Sequence, residues 1–156
     1  MMNTRREMLR HGAAVATLLM SAGLLPTTVR AQAAGYNAGA FESKTMADLM
    51  KTLGASAPTE SKDVTITGPD IAENGAVVPL GAATALPGVK NLLLLVEKNP
   101  SIMTSMFELT DAVEASVSTR VKMGQSSNVF AVAMMNDGRV LYAQKEVKVT
   151  LGGCGG

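Results

Sequence analysis

The chain has 156 residues, 47% hydrophobic and 17% charged, with one cysteine, one histidine and no tryptophan. That suits one ordinary domain and excludes a large multidomain enzyme. A formal charge of +1 lacks the basic excess of a nucleic-acid binder, and 3% aromatic residues supply no stacking platforms for single strands or sugar rings.

Arg5, Arg6 and Arg10 precede an apolar run from Gly12 to Leu25, which Pro26 ends. The run is too short to span a bilayer as a helix, so no membrane span is expected. A charged region, a moderate apolar region and the small-residue site Ala31-Gln32-Ala33 form a secretory pattern over residues 1–33, cleaved before Ala34. Val29-Arg30-Ala31 is a competing site. The adjacent arginines of Thr4-Arg5-Arg6-Glu7-Met8-Leu9 resemble the twin-arginine signal that exports folded proteins, and the bland alternative is an ordinary secretory signal that happens to hold two arginines. The expected compartment is the bacterial periplasm, which is oxidising.

Cleavage removes four arginines and one glutamate, so 14 basic and 13 acidic residues become ten and twelve, and the formal charge becomes −2. It also removes His11, the chain's one histidine. A Ser-His-Asp triad, a Cys-His pair and a His-liganded metal are thereby excluded, and neither a cofactor nor a metal is expected on the mature chain. Export of a folded protein then needs another reason. A partner that lacks its own signal and is carried out with this chain would supply one.

Residues 34–61 read as an N-terminal helix and linker. Phe41, Met46, Leu49, Met50 and Leu53 fall on one side of a 3.6-residue period, with Thr45 and Asp48 spaced as a capping pair and Gly54 just past the end. Ala55 to Ser61 is small and polar and contains Pro58, as a linker would. Residues 62–151 carry a strand period. Val64 to Thr67 alternates, Ala76 to Leu80 and Val89 to Glu97 are apolar, and Leu92 to Val96 suits a strand buried on both faces, in the core or at an interface. Ser116 to Met123 alternates again. Val129 to Met135 and Val140 to Tyr142 flank Asn136-Asp137-Gly138, a hairpin signal because the turn needs residues that tolerate positive φ. Val147 to Leu151 is a last strand. Seven or so short strands and one short helix predict an all-β, immunoglobulin-like antiparallel β-sandwich, with a β-barrel as the alternative.

Met134-Met135 and Met46-Met50 read as core or interface filler, since thioethers fit irregular gaps. Asp70 and Glu73, and Asp111 and Glu114, stand three apart in the manner of acid pairs for catalysis or calcium. Without an EF-hand pattern or a third ligand they read as solvated loop carboxylates.

The chain ends Leu151-Gly152-Gly153-Cys154-Gly155-Gly156. Gly152, Gly153, Gly155 and Gly156 remove every side chain beside the thiol, which predicts a thin, flexible arm over residues 152–156. Three residues beyond Leu151, the sulfur reaches on the order of 10 Å past the domain when extended, enough to enter a narrow channel in another protein. With a free-thiol pKa of about 8.5, only roughly 3% of Cys154 is ionised at pH 7 without help, and no second cysteine offers a redox pair. Two roles remain for the thiol. It is a handle to which another enzyme attaches something, or a bridge to another chain. Prenylation fails because only two residues follow Cys154.

These residues resemble the Y subunit of the Sox thiosulfate-oxidising sulfur carrier. The similarity lies in Gly152 to Gly156, in Val147 to Leu151 before it, in Ser118-Thr119-Arg120-Val121-Lys122-Met123-Gly124-Gln125, and in Asp70-Ile71-Ala72-Glu73-Asn74-Gly75-Ala76-Val77-Val78-Pro79. It spans nearly the whole mature chain. Asn99-Pro100-Ser101-Ile102 lacks a second proline of the family pattern, which touches only the shape of a loop. The resemblance implies a periplasmic carrier protein, not an enzyme, that forms a heterodimer with a Z subunit and holds thiosulfate-derived sulfur covalently on Cys154. It implies three kinds of partner enzyme: a c-type cytochrome complex that loads thiosulfate, a dimanganese hydrolase that releases sulfate, and, where present, a molybdenum-containing sulfur dehydrogenase. The competing functions are a structural module whose thiol only forms intermolecular disulfides and, more weakly, a sulfide or polysulfide scavenger.

Overall fold

A computed structural model describes residues 37–150. Two short helices, α1 (Ala38–Glu42) and α2 (Met46–Thr52), precede nine strands. The strands are β1 (Thr59–Glu60), β2 (Val64–Thr67), β3 (Ile71–Ala72), β4 (Val78–Thr84), β5 (Val89–Val96), β6 (Met103–Glu108), β7 (Ser116–Val121), β8 (Ser127–Met135) and β9 (Val140–Val149).

The single helix expected through Phe41 and Leu53 is two. Thr45 has extended backbone, and its side chain accepts from the Asp48 amide at 3.1 Å and donates to the Asp48 carboxylate at 2.7 Å. An N-cap must stand outside the helix it starts, so Phe41 cannot share that helix. Phe41 lies on α1 with its ring 40% exposed, while Leu49 and Met50 on α2 are buried. Gly54 follows with φ of 64° and stops α2 in the left-handed conformation that favours glycine.

The strands form two sheets, one in the order β1-β9-β8-β5-β6 with β3 also on β9, the other in the order β2-β4-β7. The architecture is the expected all-β, immunoglobulin-like sandwich. Its long strands pair antiparallel, and the two-residue strands β1 and β3 pair parallel with the start and the end of β9. Part of the segment that reads as a linker thus closes a sheet edge: Thr59 and Glu60 pair with Leu141 and Tyr142, and the Ser61 amide donates to the Tyr142 carbonyl.

The run Leu92 to Val96 belongs to the core on both faces. Leu92, Leu94 and Val96 point into the space between the sheets, with Val78, Leu80, Val121, Met123, Val129 and Val147. Leu93 and Leu95 point the other way, against Ala40, Leu49 and Met50 of the helices. All five leucine and valine side chains of the run are fully buried, so the helices form a third layer over the larger sheet. The methionines act as expected: Met50 and Met135 are buried, and Met46 and Met134 pack partly buried against the helix-side cluster.

Two strand boundaries, and the whole of β6, which the sequence reading leaves out, differ from that reading for identifiable reasons. β4 runs on to Thr84 through Gly81-Ala82-Ala83, small residues with a weak strand signal. A Cβ at Gly81 would stand 2.4 Å from Thr67 Oγ1 and 3.1 Å from the Val117 carbonyl, so a larger residue there would force the Thr67 side chain to move. β6 is an edge strand whose register with β5 shifts between Leu94 and Leu95, which blurs its alternation. β9 is one strand, because the polar residues Gln144-Lys145-Glu146 stay in the ladder opposite Phe130, Val129 and Asn128. In the turn before it only Gly138 takes positive φ, 89°, and Asp137 instead accepts from the Arg139 amide at 3.0 Å.

Candidate functional site: the root of the C-terminal arm

Cys154, Gly152, Gly153, Gly155 and Gly156 lie outside the described residues, so the structure speaks of the site through the strand that leads to them. β9 is buried at Val147, and its ladder with β8 begins at the pair Ser127 and Val147. Beyond that pair β8 no longer runs alongside, and the strand's last residues need other partners.

On the β8 side the need is met by one hydroxyl: the Val149 amide donates to Ser126 Oγ at 2.9 Å. On the opposite side β3 lies parallel, with Ile71 and Ala72 in register with Lys148 and Val149. The Lys148 amide donates to the Asp70 carbonyl at 2.9 Å and the Thr150 amide to the Ala72 carbonyl at 3.1 Å. Thr150 Oγ1 donates to the Glu73 carbonyl at 2.9 Å. The chain is therefore held on both flanks up to Thr150.

The flanking segments are themselves tied down. Lys145 Nζ donates to the Gly68 carbonyl at 2.6 Å and forms an ion pair with Asp70 at 2.8 Å. Lys145, first by its hydrogen bond and then by its charge, holds the Asp70 carboxyl below the usual aspartate range. The Met123 amide donates to the Gly75 carbonyl at 2.7 Å, and Met123 and Ala72 are buried in the inter-sheet core. The Asn99 side chain bridges the Lys122 carbonyl at 2.7 Å and the Gly124 amide at 3.3 Å, which steadies the loop before Ser126.

The segments 70–79, 118–125 and 147–150, separate in sequence, are thus brought together around the strand's end. The acid pairs are not equivalent. Asp70 and Glu73 belong to the clamp, Asp70 through its carboxylate and its carbonyl and Glu73 through its carbonyl alone. Asp111 and Glu114 lie at the other end of the sandwich, beside a cavity of about 760 Å³ that Leu86, Leu109 and Val113 also line. Among the described residues no group of three His, Cys, Asp or Glu is placed to hold a metal ion, and no helix is long and apolar enough to cross a membrane. Ser126 escapes sequence reasoning, because a serine in a polar loop carries no signal until its hydroxyl is seen to replace a strand. The sequence reading places Thr150 in the last strand, which says nothing of its hydroxyl's bond to the Glu73 carbonyl.

The arrangement can hold and aim; the hydroxyls and carbonyls around the root offer no strong base. From Thr150 to Cys154 there are four residues, so the Cys154 Cα cannot stand more than about 14 Å from that of Thr150. The fold and this root define a β-sandwich whose last strand is held on both flanks up to Thr150, four residues before the chain's one cysteine.

The family model for sulfur oxidation protein SoxY matches residues 49–154, up to Cys154 itself. The chain belongs to the SoxY family. Among solved structures it is similar to the sulfur carrier protein SoxY from Chlorobium limicola f thiosulfatophilum, with 34% identity over 66% of this chain and 93% of that one and a TM-score of 0.59. It is also similar to the superoxide reductase (neelaredoxin) of Ignicoccus hospitalis, with 18% identity over 55% of this chain and 79% of that one and a TM-score of 0.50, a likeness of fold alone. No curated protein matches the chain.

Proposed function

We propose that this protein is a periplasmic sulfur carrier, which holds thiosulfate-derived sulfur on Cys154 and presents it to partner enzymes. The observation that carries the reading is the family match that runs through to Cys154, on a strand held at both flanks four residues before it. Residues 1–33 act as a twin-arginine signal, residues 34–61 and 62–151 form the helical segment and the sandwich, and Gly152, Gly153, Gly155 and Gly156 keep the arm narrow. A Z subunit without its own signal is exported with it as a heterodimer, which accounts for the use of a folded-protein route.

In the first step the Cys154 thiol and thiosulfate form an S–S bond, giving Cys–S–S–SO₃⁻. The thiol proton and two electrons leave, the electrons to a c-type cytochrome complex. Water then cleaves the bond between sulfane sulfur and sulfonate on a dimanganese hydrolase, which releases sulfate and leaves a persulfide. A molybdenum-containing dehydrogenase, where present, oxidises that remaining sulfur. This chain supplies attachment and reach; its partners supply base, metal and redox chemistry.

Intact mass of the protein from thiosulfate-grown cells, with and without reductant, tests the reading. Reductant-labile additions of sulfur, with or without sulfonate oxygens, are expected on Cys154 and absent from Cys154→Ser, which also stops thiosulfate-dependent respiration. A plain disulfide dimer with no sulfur adduct would make the chain a cross-linking module instead.

A further inference from the structure

We propose that Ser126 and Thr150 are positioning residues that set the working length of the arm. This rests on the carrier reading and adds to it the point from which the arm is measured. The last buried residue of β9 is Val147, and the ladder with β8 also ends there. Lys148, Val149 and Thr150 therefore stay beside the sheet through β3 and the Asp70 carbonyl, through the half-buried Val149 side chain, which packs against the inter-sheet core, and through two side-chain hydroxyls. Ser126 Oγ takes the Val149 amide at 2.9 Å, and Thr150 Oγ1 gives to the Glu73 carbonyl at 2.9 Å.

With the clamp closed, Cys154 hangs four residues from a fixed Thr150. With it open, the strand frays back to Val147 and the tether grows to seven residues. Maximum reach rises from about 14 Å to about 25 Å. Effective concentration at a centre matched to the short arm falls as roughly the −3/2 power of tether length, which is about a twofold loss from four residues to seven. Reach is gained and aim is lost. Both hydroxyls are needed because they hold opposite edges of the same short segment, where backbone pairing alone is limited to the two residues of β3.

The test uses the protein isolated from the periplasm, as wild type, as the double variant Ser126→Ala with Thr150→Val, and as Ser126 wild type with Thr150→Ser. Three quantities are read: amide hydrogen exchange at residues 148–150, the rate of sulfur-adduct formation on Cys154 in periplasmic extract given thiosulfate, and the rate of Cys154 alkylation by iodoacetamide. The double variant is expected to unfold at nearly the wild-type temperature, to lose protection at 148–150, to load about two- to threefold more slowly, and to alkylate at the wild-type rate. Thr150→Ser, which keeps the hydroxyl, is expected to load as wild type does. Lost protection with unchanged or faster loading would overturn the proposal, as would slower loading with protection retained. A wild-type protein that takes no adduct would instead remove the carrier reading itself.

Discussion

The two ends of β9 are fastened by different means. At Val140 the strand is joined covalently to β8 through a three-residue turn, closed by the Met135 amide on the Arg139 carbonyl at 2.9 Å and by Gly138 in the left-handed region. The turn is further pinned by the Asn136 amide on the Gly88 carbonyl. Past Val149 the sequence leads to the glycine and cysteine tail. There the strand is held by hydrogen bonds from two separate segments: residues 70–73, through β3 and the Glu73 carbonyl, and Ser126. A turn fixes an end cheaply through local chain geometry, whereas an end that must lead outward can be fixed only by long-range contacts. On the proposed reading the second kind can open without unfolding the domain, and it is the end that leads to Cys154.

A change beneath both ends should abolish the difference between them. Leu94→Ala in the fully buried centre of β5 is expected to cost about 2–5 kcal/mol in denaturant unfolding and to weaken exchange protection along the whole of β9. Gly138→Ala meets no steric neighbour but forces an alanine to φ of 89°, for about 1–2 kcal/mol. It should lower stability and leave thiosulfate loading at the wild-type rate. If loading falls with it, the two ends are coupled and the comparison fails. Ser126→Ala alone removes the bond the hydroxyl accepts from the Val149 amide and the long one, 3.5 Å, it donates to the Val149 carbonyl, about 0.5–1.5 kcal/mol for the first, and should speed exchange at the Val149 amide far more than at any amide of the hairpin.

The smallest effect concerns acid. Each end has an aspartate held below its usual range, Asp70 chiefly by the Lys145 side-chain hydrogen bond and Asp137 chiefly by the Arg139 backbone N–H. A depressed folded-state value means that each carboxylate supports its end above the unfolded-state value, and that this support is lost as pH falls through the folded one. Lys145 holds Asp70 by its hydrogen bond and then by its charge, whereas Arg139 holds Asp137 mainly through hydrogen bonds. Added salt should therefore move the Asp70 titration toward the ordinary aspartate value more than that of Asp137, as followed by carboxyl NMR. Equal movement would show that the Lys145 contact is not the stronger ion pair.

The sheets, the buried run from Leu92 to Val96 and the hairpin at Asn136-Asp137-Gly138 were legible because each rests on a local pattern: alternation, a continuous apolar run, a turn tripeptide. The cap at Thr45 was legible too, yet its meaning was misjudged, since a cap inside a helical period splits the helix. β3 and β1 left no trace. Two residues cannot show a period, and they become strands only because β9 lies alongside. The same holds for the root of the arm. Asp70 to Pro79 stands out as a stretch similar to one family, while its task of holding the end of β9 depends on pairings about 77 residues apart in sequence, such as Thr150 with Glu73.

The sequence by itself determined the all-β sandwich, the family resemblance and the one thiol on which the chemistry is expected to rest, because composition, period and a terminal motif are properties of neighbours along the chain. Tertiary structure alone decided that the helices cover the outer face of the larger sheet, that Asp70 and not Asp111 belongs to the site, and that Ser126 and Thr150 hold the arm's origin. Those facts depend on which distant backbone groups must find partners once β8 and β9 part at Val147, and no window of sequence contains both sides of such a pair.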